Sequence, residues 1–105
     1  MFKKLKNVML YVENIELARD FWVDKMNFTV VEEMDLMDNY KGIEIAAEEA
    51  SETTIAIFLL EFIKQYSPEV STGTPSLMFE VDEIEAVYEE MKEKEENKII
   101  KKLKE

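Results

Sequence analysis

The chain has 105 residues with 24 acidic against 13 basic side chains, a net charge of −11, and neither histidine nor cysteine. This excludes disulfides, thiolate nucleophiles, zinc ribbons, iron–sulfur centres and imidazole acid–base chemistry, so any metal would need oxygen ligands. The length suits one compact domain, and a hydrophobic content of 47% suffices for a core.

In chain order, residues 5–12 are mostly apolar between polar flanks and predict a buried strand. Asn14 can cap the helix that follows. Ile15, Ala18, Trp22 and Met26 recur at helical spacing and predict a helix over 15–25, with Asn27 as its stop. Residues 28–31 are β-branched and aromatic, a second strand continuing towards Asp35. Asp38, Asn39 and Gly42 punctuate a turn around Tyr40, residues 43–47 read as a third strand, and 48–52 as an acidic loop. Residues 54–62 carry the strongest strand signal in the chain.

Residues 67–75 hold both prolines and one of the two glycines, which marks a linker. Beyond it, 76–81 predicts a strand, and Asp82 with Glu85 forms a capping-box pattern. The helix it opens carries an apolar stripe of Ile84, Val87, Tyr88 and Met91. Residues 98–103 read as a last strand whose lysines suit an exposed edge.

Shifting the sequence by 69 residues aligns 7–16 with 76–85 without a gap. Apolar meets apolar at Val8/Leu77, Met9/Met78, Leu10/Phe79, Val12/Val81 and Ile15/Ile84, and Glu16 matches Glu85. The same strand-to-helix transition thus occurs twice. Two full modules of that period would need nearly 140 residues, so the second copy is expected to be short by one or two strands.

Seven of the thirteen basic residues are terminal: Lys3, Lys4, Lys6, Lys98, Lys101, Lys102 and Lys104. Between Asn7 and Asn97 the balance is 6 basic against 23 acidic. Such a body repels phosphate backbones, which argues against nucleic-acid binding. The longest apolar run, Ile55 to Leu60, is far below the roughly 20 residues of a membrane span, and the N-terminus lacks a signal-peptide pattern. A soluble cytoplasmic protein is the expectation.

The stretch Val8-Met9-Leu10-Tyr11-Val12-Glu13-Asn14-Ile15-Glu16-Leu17-Ala18-Arg19-Asp20-Phe21-Trp22, followed by Met26-Asn27-Phe28, resembles the opening signature of the glyoxalase/bleomycin-resistance/dioxygenase group, the vicinal oxygen chelate superfamily. The segment Leu77 to Ile84 is similar to the same pattern. The resemblance implies an α+β fold of paired βαβββ modules curled around a cleft, usually in a dimer. In a single domain 1–105, residues 1–66 would be the first module, 67–75 the linker and 76–105 a truncated second module. Catalytic members hold a divalent metal on four side chains from the first and last strands of each module. The first-strand positions fall here on Asn7 and Ser76, and the last-strand position of the first module near Phe58 to Leu60, with Glu61 the nearby carboxylate. An amide, a hydroxyl and hydrocarbon make a poor ligand set, so neither a metal, a cofactor nor a catalytic residue is assigned.

Strand alternation selects a different set. If Val8, Leu10 and Val12 pack under the first helix, Asn7, Met9 and Tyr11 face a cleft, joined by Phe58 or Leu60. By the same parity Ser76, Met78 and Glu80 face it from the second copy. Thioethers and aromatics suit an adaptable, mostly apolar ligand, and the acidic body would attract a cationic one. The expected function is a metal-free, homodimeric protein that binds a small molecule, such as a cationic antibiotic. The alternative is a metal-dependent lyase, isomerase or dioxygenase using Glu61, Glu80 and carbonyl oxygens.

Overall fold

The computed structural model describes the backbone of residues 1–104 and the side chains of residues 1–96. The chain divides into two compact units, Met1–Pro75 and Ser76–Glu105.

The first unit is a βαβββ module. β1 (Asn7–Val12) leads to α1 (Ile15–Arg19), and β2 (Thr29–Asp35), β3 (Lys41–Ala46) and β4 (Thr54–Leu59) follow. They form one sheet in the order β1-β4-β3-β2, parallel between β1 and β4 and antiparallel elsewhere. The N-terminal approach is clamped to β4 by Thr54 N–H donating to the Lys6 carbonyl at 2.9 Å and Thr53 Oγ1 to the Leu5 carbonyl at 2.9 Å.

α1 begins where the sequence placed it, because the Asn14 side chain accepts from Leu17 N–H at 3.1 Å. The predicted helix changes register midway: Asp20–Lys25 is π-helical, with Met26 N–H reaching the Phe21 carbonyl at 3.0 Å. Asn27 ends it at φ 60°, a left-handed conformation that asparagine tolerates better than most residues. Trp22 packs on buried Phe28 with ring centroids 4.9 Å apart.

One sheet face is aliphatic. The register aligns Leu10 with Ile57, Ile57 with Ile43, and Ile55 with Ile45, and all five are buried; Ile45 and Ile57 are 0% exposed. Glu33 shares this face through its pairing with Ile43 and meets Arg19 of α1 at 2.7 Å, so α1 covers the isoleucines.

Several expectations are corrected. β4 stops at Leu59, and Leu60–Tyr66 is a helix, α2, that buries Ile63. An apolar run alone does not tell a strand from a buried helix turn. Gly42 is not a turn residue: it lies in β3 without a positive φ, and Asp38 (φ 55°) and Asn39 (φ 63°) make the turn.

In the second unit, residues 76–81 form no strand, and α3 (Ile84–Lys104) is a single helix, so the strand expected over 98–103 is its last turns. An extended segment becomes a strand only when its backbone groups find a ladder partner, and this unit supplies none of its own. Around 98–103 the helix-forming lysines continue a sequence rich in Glu and Lys, which outweighs the short apolar pattern.

Candidate functional site

The face of the sheet opposite α1 follows from the same register as three rungs. Asn7, Thr54, Ala46 and Thr29 form the first; Met9, Ala56, Glu44 and Glu32 the second; Tyr11, Phe58, Gly42 and Met34 the third. A β-bulge at Val31 restores Glu32 and Met34 to this face. In its middle columns small and larger side chains alternate: Ala46 and Ala56 are buried beside Thr54 and Glu44, and Gly42 has no side chain because a Cβ there would lie 2.9 Å from Phe58 Cδ1 and 3.1 Å from the Ile57 carbonyl oxygen. Met9, Tyr11, Phe58 and Met34 supply the longer apolar and aromatic side chains of this face.

A polar network crosses one end. Thr54 Oγ1 donates to Glu44 Oε2 at 2.7 Å, and Asn7 Nδ2 reaches the same oxygen at 3.3 Å and Thr54 Oγ1 at 3.2 Å. Glu44 Oε2 therefore receives two donors, while Oε1 meets none among the described residues and is open to solvent. At the other end an aromatic group continues onto α2: Phe58 lies near-parallel to Phe62 at 6.2 Å, and Phe62 contacts Tyr40 at 5.4 Å and Tyr66 at 5.0 Å. Partial burial and then the neighbouring Glu61 carboxylate raise the Tyr40 phenol above its ordinary pKa of 10.0.

Of the residues singled out from sequence, Asn7, Met9, Tyr11 and Phe58 lie together on this face. Leu60 does not: as the first residue of α2 it lines a separate surface cleft of about 440 Å³ with Glu13, Leu59, Glu61 and Lys64. Ser76, Met78 and Glu80 are exposed in the second unit, in the segment that forms no strand, so the parity used to orient them has no strand to act on. Sequence reasoning passed over Thr54, Glu44 and Gly42. The alternation Gly42-Glu44-Ala46 against Ile43-Ile45 was available as a signal, and it puts Glu44 opposite the aliphatic face.

A family model described as the Glyoxalase/Bleomycin resistance protein/Dioxygenase superfamily matches residues 4–102. The chain belongs to this superfamily. It is 29% identical over 92 residues to the uncharacterized protein YetH of Bacillus subtilis (strain 168), a match spanning 88% of this chain and 72% of that one. Among solved structures it resembles TnmS3, an antibiotic binding protein from Streptomyces sp. CB03234, with a TM-score of 0.70 at 16% identity, covering 89% of this chain and 71% of that one. It also resembles a member of the superfamily from Sphaerobacter thermophilus DSM 20745, with a TM-score of 0.71 at 19% identity, covering 89% and 72%. At these identities the two structures establish the fold.

The residues at the superfamily's metal-ligand positions do not fit a divalent cation. The Asn7 amide is committed to Glu44 and Thr54, and Phe58 and Leu60 present hydrocarbon. Among the described residues no three acidic side chains converge. What this superfamily member offers instead is a shallow apolar and aromatic surface with a carboxylate fixed at its centre.

Proposed function

We propose that the chain is a metal-free, small-molecule-binding member of the superfamily that sequesters an organic cation, such as an antibiotic, from the cytoplasm. The observation that carries this reading is the face of β1, β4 and β3. Its thioether and aromatic side chains, Met9, Tyr11 and Phe58, suit an apolar ligand body, and its central charge, like that of the whole chain, is negative. TnmS3, of similar fold, is described as an antibiotic binding protein. In this reading residues 1–66 are the first module, 67–75 the linker and 76–105 an incomplete second module.

A homodimer belongs to the same reading. β2, at one edge of the sheet, is protected by Glu32, Glu33, Asp35 and its bulge, whereas β1, at the other, is Asn-Val-Met-Leu-Tyr-Val without a charge. An uncharged edge is what strand addition from another chain requires.

The test is a thermal-shift and calorimetric screen of the purified protein against cationic antibiotics and amphiphiles, with light scattering at micromolar concentration. A dimer that is stabilised by at least one cationic compound and that carries far less than one metal ion per chain fits the proposal. Stoichiometric nickel, zinc, manganese or iron in protein purified without chelator would instead favour a metal-dependent lyase, isomerase or dioxygenase.

A further inference from the structure

We infer that Glu44 is the residue that reads the charge of the ligand, and that the ligand class is an aromatic cation whose ring system stacks against Tyr11 and Phe58 on the neighbouring rung. This rests on the binding function proposed above and deepens it by naming the group that selects for charge.

The argument begins with the cost of the carboxylate. Glu44 is half-buried on a face whose near neighbours in β4 and β3 are alanines and a glycine, and a carboxylate there loses hydration that must be replaced. Two donors, Thr54 and Asn7, both go to Oε2, which fixes the group's orientation without satisfying Oε1. Among the described residues no lysine or arginine pairs with Glu44, and Lys41, three positions earlier in β3, pairs with Asp35 at 3.6 Å on the opposite face. A carboxylate held by hydrogen bonds, with one oxygen open and no protein cation, is arranged to receive a positively charged donor, and such charge-assisted bonds are about twice as strong as neutral ones.

The surroundings specify the rest of the ligand. On this face the small residues Ala46, Ala56 and Gly42 alternate with Thr54, Glu44 and Phe58, so the carboxylate stands one rung from the aromatic pair. Phe58 already lies over Gly42 at one end, and the Tyr11 ring is its neighbour on the same rung. These two rings favour an aromatic cation over an aliphatic one, through stacking and cation–π attraction.

A bulk acidic field would attract any cation, so the test must separate a positioned charge from a general one. Three fluorescent probes of similar shape serve: proflavine as the cation, 9-anthracenemethanol as the neutral body and 9-anthracenecarboxylate as the anion. Each is titrated against wild type, Glu44→Gln and Glu32→Gln, with melting curves to establish that the variants fold. Glu32 stands across the same rung, is exposed and carries the same charge.

The inference expects proflavine to bind wild type at least tenfold more tightly than the neutral probe, and E44Q to lose about tenfold for proflavine with less than twofold change for the neutral probe. E32Q should lose less than threefold. Equal losses in E44Q and E32Q, or equal binding of all three probes, would overturn it while leaving the binding function intact. Failure of every probe to bind wild type would remove the function itself. If E44Q does not fold, Thr54→Val replaces it: freeing the carboxylate should cost proflavine several-fold and the neutral probe nothing, and no difference between the two probes overturns the inference.

Discussion

The same sequence pattern occurs twice in this chain and has two outcomes. At the 69-residue offset, Ala18 N–H bonds to the Asn14 carbonyl at 3.2 Å, and at the equivalent positions Val87 N–H bonds to the Glu83 carbonyl at 3.2 Å. Both helices therefore start at the same point of the repeat. The preceding six residues differ: 7–12 are β1, hydrogen-bonded along their length to β4, whereas 76–81 form no strand. A helix start closes its hydrogen bonds locally, while a strand must borrow them from a neighbour. The first unit has that neighbour because β2, β3 and β4 follow in its own sequence; in the second, a helix follows.

The difference extends to the side chains. Leu10 in the first copy is buried, while its counterpart Phe79 is 41% exposed, and Met78, counterpart of Met9, is 98% exposed. The apolar pattern recurs in both copies, but among the described residues only the first copy places it in a buried core.

The largest expected effect tests that asymmetry. Ile57→Ala removes a side chain that is 0% exposed and should destabilise the protein by about 2–5 kcal/mol, whereas Ile84→Ala, at a site 67% exposed, should cost less than about 0.5 kcal/mol in urea denaturation. Equal losses would show that the two units share one core. Next is Gly42→Ala, whose Cβ would press on Phe58 and on the Ile57 carbonyl; a cost of about 1–3 kcal/mol is expected, partly relieved by Phe58→Ala in the double variant.

A smaller effect compares the two helix starts. Asn14→Ala loses the cap to Leu17 and should cost about 1 kcal/mol, while Glu83→Ala, without an oxygen so placed, should change stability by a few tenths at most. The smallest concerns Tyr40. Its phenol holds its proton more tightly in the folded protein, so the stability it adds is present below the ordinary phenol pKa and is lost as pH climbs through the raised value. Absorbance titration at about 295 nm should show one tyrosine ionising late, and Glu61→Gln should bring it earlier.

Much of this was legible in the residues. The Asn14 cap, the Asn27 stop and the alternation that separates Met9 and Tyr11 from Leu10 all rest on local geometry, and the family signature lies in that same stretch. Three features were not legible. The end of β4 was hidden because Leu60, Phe62 and Ile63 extend an apolar run that serves strand and helix equally. Gly42 read as a turn because its reason is a contact with Phe58, 16 residues away. The Glu44 network joins three strands distant in sequence, and only the register reveals it.

What the sequence by itself determined is therefore the set of local decisions: the starts of the helices, the stop of the first, the two-fold repeat of a strand-to-helix pattern and the absence of imidazole and thiol chemistry. Tertiary structure alone decided which copy of the pattern becomes a strand and which carboxylate stands at the centre of the candidate site. The reason is the same in both cases: a backbone ladder and a cross-strand side-chain network take their partners from remote parts of the chain, and only folding brings those parts within hydrogen-bonding distance.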